Sequence, residues 1–190
     1  MEKEPLGSKR FLKVAICLLI AAFAQTTLPQ RIGLWLEPIN WLLLVTVYAS
    51  LLRDPFLALL TASTAGILHD AYSGGPAIGV SGISMVLAAY VVYQITSMIV
   101  LEHFLIRLLM VAVAGAVHLS VTLVFYHILK LDLPPALIGP RSILATMLLS
   151  ITINLIVALF LFPLLDRIFR PGSFRRSRRS EPFRGLKRRW

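Results

Sequence analysis

Three stretches of this chain, Val80–Leu101, Leu108–Leu129 and Ser142–Leu165, each run for more than 20 residues without one charged side chain. About 20 apolar residues, rising 1.5 Å each, suffice to cross roughly 30 Å of hydrocarbon. Three such runs in a chain of 190 residues leave too little polar surface to enclose them in water. Composition agrees, with 57% hydrophobic and only 15% charged residues, against about a quarter charged in an ordinary soluble domain. The chain reads as an integral membrane protein.

The amino-terminal half is less regular. Phe11–Leu28 is long enough to span if Lys13 snorkels to the interface. Pro38–Leu52 and Pro55–His69 are two runs of 15 residues separated only by Arg53 and Asp54, which predicts a tight helical hairpin. Pro29, Pro38, Pro55, Pro76, Pro134, Pro135 and Pro140 fall between these runs or at their starts, and Pro163 falls near the end of the last. Proline lacks a backbone donor and suits a first helical turn, so this punctuation predicts helix ends rather than kinks. Trp35 and Trp41 flank the second run as interfacial aromatics do. The expected fold is all-α, a polytopic membrane protein of six transmembrane helices. Its parts are a segment over residues 1–10, a membrane domain over 11–168 and a basic tail over 169–190.

Charge sets the expected orientation. Of the net +10, the 24 residues from Arg167 to Trp190 hold +9. Lys3, Lys9, Arg10 and Lys13 stand before or within the first span, so the positive-inside rule puts both termini in the cytoplasm and requires an even number of spans. Basic residues followed by Ala22-Phe23-Ala24 also resemble a cleavable secretory signal. Removing the first span would, however, leave five and turn the basic tail outward. In that tail Arg175, Arg176, Arg178, Arg179, Lys187, Arg188 and Arg189 are expected to lie on anionic lipid, at about 1 kcal/mol for each basic residue near the surface. No folded nucleic-acid-binding module accompanies the charge.

Candidates for chemistry are few. A single cysteine, Cys17, excludes an internal disulfide and a cysteine-rich metal site. Ala58, Ala62, Gly66 and Asp70 recur every four residues along one face of the third span. Small residues at this spacing allow another backbone to approach closely in lipid, either within the chain or from a partner. Asp70 precedes a turn containing Gly74, Gly75 and Pro76. It is expected to accept hydrogen bonds from backbone donors of that turn or of the next helix, which opens with Gly79 and Gly82. Gly79-Val80-Ser81-Gly82 matches the Gly-x-Ser-Gly nucleophile motif of rhomboid intramembrane proteases. By depth, His127 could approach Ser81, but the rhomboid base lies on the sixth span, which here has no histidine. Gln94, His118 and Asn154 are the remaining strongly polar residues in spans, expected to bridge helices. His118 and His127, nine residues apart, should point to opposite faces. No metal, cofactor or catalytic group is expected.

The run Gly66-Ile67-Leu68-His69-Asp70-Ala71-Tyr72-Ser73-Gly74-Gly75-Pro76-Ala77-Ile78-Gly79 resembles the bacterial rod shape-determining MreD family, with Gly66, Asp70, Gly74 and Gly79 as the matching positions. Tyr48 and the Arg53-Asp54-Pro55 hairpin are similar in layout, and the likeness extends over residues 11–168. It implies a non-enzymatic scaffold of the cell-elongation, peptidoglycan-synthesis machinery in the inner membrane. That scaffold would bind MreC and, through it, the MreB filament and RodA with its penicillin-binding transpeptidase. The expected partner contacts are Ala58, Ala62, Gly66, Asp70, Gly74 and Gly79, and association with copies of itself is open. The resemblance also implies a fold similar to the substrate-binding subunits of energy-coupling-factor vitamin transporters, and such a subunit is the alternative function. Those subunits dock through an Ala-x-x-x-Ala stripe on their first helix. Ala15, Ala21, Ala22 and Ala24 here show no such spacing.

Overall fold

The hairpin at Arg53-Asp54 is present. It joins α2 (Trp41–Leu51) to α3 (Pro55–Ser73) and is built from local chemistry at each end. Asn40 caps α2 by accepting from the Leu43 amide at 2.9 Å. Arg53 takes a left-handed φ of 61° to turn the chain. Asp54 then caps α3, accepting from the Leu57 amide at 3.1 Å, with Pro55 in the first helical position where its missing donor costs nothing. The computed structural model describes residues 6–32, 38–73, 78–99, 103–130 and 143–169. The other helices among them are α1 (Leu6–Ile32), α4 (Val80–Met98), α5 (Phe104–Ile128) and α6 (Ile143–Phe169).

All six expected helices form, but they are not equal. Segments Arg10–Arg31, Val80–Met98, Phe104–Ile128 and Leu144–Phe169 are long and apolar enough to cross a membrane. The 11 residues of α2 reach only about 16 Å. Every residue from Leu42 to Leu51 is buried, so α2 is the wrapped centre of the bundle rather than a lipid-facing span. The apolar run that suggested a longer helix includes Pro38 and Ile39, which precede the Asn40 cap.

The prolines do not all mark ends. Helix α1 continues through Pro29 to Ile32, and α6 through Pro163 to Phe169. A proline within a helix frees the carbonyl four residues earlier, and membrane helices absorb that loss by local adjustment.

Interhelical bonds place the ends. Lys13 Nζ donates to the Ile168 carbonyl at 2.9 Å, so the start of α1 meets the end of α6. Arg53 donates to the Ile99 carbonyl at 2.6 Å. Arg107 Nη1 donates to Asp166 Oδ2 at 2.7 Å, while Tyr48 Oη donates to the other carboxylate oxygen at 2.9 Å. Lys13, Arg53 and Arg107 therefore gather at one end of the bundle, the basic end.

The Asp166 bridge ties α2, α5 and α6 together with its two ionic side chains 17% and 18% exposed. Removing one member of a part-buried pair strands the other. Asp166→Ala should lower stability by about 2 kcal/mol, whereas Arg107→Met with Asp166→Leu should recover most of it. Thermal unfolding of the detergent-purified chain reads both, and equal losses in the single and double variants would refute the pairing argument.

Candidate functional site

At the end opposite the basic one, α3 and α4 meet backbone to backbone. Ala58, Ala62, Gly66 and Asp70 all face inward, with both alanines fully buried. A Cβ on Gly66 would collide with Gly82 Cα and lie 2.8 Å from the Gly82 nitrogen and 3.0 Å from the Ser81 carbonyl. Gly66 thus lies in the internal α3–α4 seam, and Ala58 and Ala62 are buried within the bundle. Direct contact of Ala58, Ala62 and Gly66 with another chain would require the helices around them to part.

One turn beyond Gly66, this approach brings Asp70 to the start of α4. Gly79 is the N-cap of α4, with a left-handed φ of 102° and no side chain to cap with. Asp70 supplies the cap from α3. Its Oδ2 accepts from the amides of Gly79 at 2.7 Å and Gly82 at 3.4 Å, and its Oδ1 accepts from Ser81 at 3.2 Å. Asp70 as a whole is 7% exposed. A negative group at a helix N-terminus satisfies otherwise orphaned donors and lies along the favourable direction of the helix dipole. Asp70 thus accepts from the start of the next helix, as its position before the glycine turn suggests.

A line of hydroxyls and imidazoles continues inward from this cap. His69 Nδ1 lies 3.1 Å from Ser81 Oγ. Ser84 Oγ lies 2.9 Å from His118 Nδ1 and receives the Thr122 hydroxyl at 3.2 Å. The rings of His69 and His118 are 6.3 Å apart. Ser84 is fully buried and His118 nearly so, whereas His127 is exposed. The opposite-face expectation for the two histidines therefore holds, but the neighbour of Ser81 is His69 from α3, not His127. Depth along the chain misdirects this assignment because the α3–α4 seam is tighter than any loop implies.

A serine beside a histidine and an aspartate invites a hydrolytic reading, and the bonding opposes it. Asp70 is engaged by three amides rather than orienting the imidazole, and those amides are the donors that a helix start could otherwise offer to an oxyanion. The Ser81 residue is also 9% exposed. The arrangement holds two helices together. Among the described residues, no three histidine, cysteine, aspartate or glutamate side chains converge as a metal site.

Asn154 bridges as expected, accepting from the Asn40 amide at 2.9 Å and donating to the Pro38 carbonyl at 3.2 Å. Gln94 does not. It is exposed, and its side chain has no hydrogen-bond partner among the described residues. Two open grooves, of about 290 Å³ between α1 and α3 and about 370 Å³ along α3 and α4, are lined almost wholly by apolar side chains. Gly74 and the tail positions Arg175, Arg176, Arg178, Arg179, Lys187, Arg188 and Arg189 lie outside the described residues.

The family model for rod shape-determining protein MreD matches residues 8–168. Neither a curated protein nor a solved structure matches the chain, so the expected likeness to energy-coupling-factor subunits is not shown. The matched region holds all six helices but for the two residues before it and the last residue of α6, and includes the Gly66–Gly82 seam with its Asp70 clamp. The chain belongs to the MreD family. Membership supports a rod-shape-determining membrane protein.

Proposed function

We propose that this MreD-family chain is a non-enzymatic scaffold of the cell-elongation machinery in the inner membrane. It binds MreC by packing helix face against helix face, and reaches the MreB filament and RodA with its penicillin-binding transpeptidase indirectly. The observation that carries the reading is the Asp70 clamp. The Asp70 carboxylate is engaged by three amides of the chain's own backbone, which suits a rigid surface better than a reacting centre. In this reading the basic end and both termini lie in the cytoplasm, with the tail on anionic lipid. The stripe and the turn with Gly74 and Gly79 act by fixing the position of α3, whose outward side shows Leu60, Thr64 and Ile67 to lipid.

Co-purification of MreC with the full chain from detergent-solubilised membranes tests this. Intact chain should retain MreC, and tryptophan at Leu60 or Ile67 should reduce retention several-fold without lowering the amount of folded chain. Absence of MreC from the intact chain's complexes would overturn the proposal.

A further inference from the structure

Beneath the Asp70 cap, α4 is gripped from two sides by imidazoles. His69 reaches it from α3 through Ser81, and His118 reaches it from α5 through Ser84, one turn further in. The two rings stand edge to face, 6.3 Å apart. Thr122, one turn from His118 on α5, donates to Ser84 Oγ at 3.2 Å or to the His118 carbonyl at 2.8 Å. Three helices therefore meet in one polar cluster, where Ser84 is fully buried and His118 is 6% exposed.

Counting hydrogens shows what this cluster holds. Ser84 has one hydroxyl hydrogen, for which His118 Nδ1 at 2.9 Å and the Ser81 carbonyl at 3.1 Å compete. Given to Nδ1, it leaves His118 neutral with its own hydrogen on Nε2. Given to the carbonyl, it makes Ser84 Oγ the acceptor of an Nδ1 hydrogen. Either way the serine is satisfied beside a neutral ring. A charged imidazole is a donor at both nitrogens, and the Nε2 of neither histidine has a hydrogen-bond partner among the described residues. Compensating charge is scarce as well. Asp70 is the one carboxylate at this end among the described residues, and its oxygens are already held by the Gly79, Ser81 and Gly82 amides. Arg31 on α1, Tyr72 on α3, and Tyr126, His127 and Lys130 at the end of α5 add no negative charge at neutral pH. Helices α2, α4 and α6 bring no ionisable side chain to this end.

We propose that His69 and His118 form an acid-released latch: with both rings neutral they hold α3, α4 and α5 together, and proton uptake frees α5 from α4 at this end of the bundle. One proton can sit beside Asp70, but a second places like charges 6.3 Å apart, with little water between them to screen the repulsion. The opened arrangement lets both rings reach water and take up protons, so acid favours it and neutral pH favours the closed one. The change falls where imidazole in water titrates, roughly pH 7 to 5. Carboxylates titrate lower, near about pH 4, which separates release of the latch from loss of the Asp70 cap.

Amide exchange of the full chain in detergent, corrected for the intrinsic pH dependence of exchange, reads the latch. Lowering the pH from about 7.5 to about 5 should raise the opening of α5 around His118 and of α4 around Ser84 roughly tenfold or more. Amides near the Arg107–Asp166 bridge at the basic end should not change. His118→Gln should remove most of the response, because a carboxamide still bonds Ser84 but takes up no proton in this range. His127→Gln, at an exposed position of the same helix, should keep it. Should His118→Gln not fold, His69→Gln decides alone, with loss of most of the response expected. Absence of an acid response in the parent, or a full response in either foldable variant at position 69 or 118, would overturn the proposal. The measurement involves no other subunit, so its failure and a failure of MreC retention are separate observations.

Discussion

Gly66→Ala should destabilise this protein by about 3 kcal/mol, although alanine is the better helix former by about 1 kcal/mol. The added methyl would meet the Gly82 Cα and nitrogen and the Ser81 carbonyl. These are backbone atoms of another helix and cannot rotate aside as a side chain can. Relief requires α3 and α4 to separate, which lengthens the Asp70 bonds to the Gly79, Ser81 and Gly82 amides one turn away. Gly82→Ala is the contrasting case. Nothing lies within 4 Å of a Cβ built there, so the change should be neutral or slightly stabilising despite affecting the other partner of the same contact. Unfolding of the two purified variants in detergent separates them. If Gly66→Ala came within about 0.5 kcal/mol of the parent, or the two substitutions had equal effects, the seam would not be as close as described. Gly66→Leu should fail more severely, and loss of MreC from that variant would report a broken bundle rather than a missing contact.

The seam also shows how far the sequence could be read. The four-residue spacing of Ala58, Ala62, Gly66 and Asp70 announces a close helix approach, because in a helix residues four apart lie on one face and small ones there let another backbone come near. It does not say which backbone approaches. That depends on Gly82, whose role is invisible until α4 is packed against α3. The same limit hid the His69–Ser81 pair: two side chains 12 positions apart became neighbours because a hairpin in lipid juxtaposes its ends at backbone distance. Charge was more informative at the basic end. Lys13, Arg53 and Arg107 gather at one end of the bundle, and a charge in hydrocarbon costs so much that few alternatives survive. Asp166 was overlooked since it stands just beyond the apolar run, and its pairing with Arg107 and Tyr48 needs three helices in place. The short α2 was misjudged for another reason: an apolar run measures burial, and burial in lipid and burial in protein have the same composition.

Asp70→Ala should cost about 3 kcal/mol and should do so at a definable place. The substitution removes the acceptor of three amides at the start of α4. Each buried donor left unmade costs roughly 1–3 kcal/mol, and the sum falls short of additive because the first turn can fray toward water. The favourable alignment of a carboxylate with the helix dipole is lost as well. Asp70→Asn keeps one carbonyl oxygen but turns an amino group toward the remaining amide hydrogens, so about 2 kcal/mol should go, and the variant should lie between parent and alanine. Stability alone would not distinguish a cap from ordinary core packing, because any buried side chain costs something to remove. Amide exchange does. In both variants the Gly79, Ser81 and Gly82 amides should lose protection before the middle of α4 around Met85 and Ala88, since the clamp acts on the first turn and the interior of the helix keeps its own bonds. Uniform loss along α4 would mean that Asp70 supports the bundle without capping the helix. Unchanged exchange at those amides would remove the clamp from the account altogether, and with it the reason for treating this turn as a rigid feature that an assembling partner can rely on.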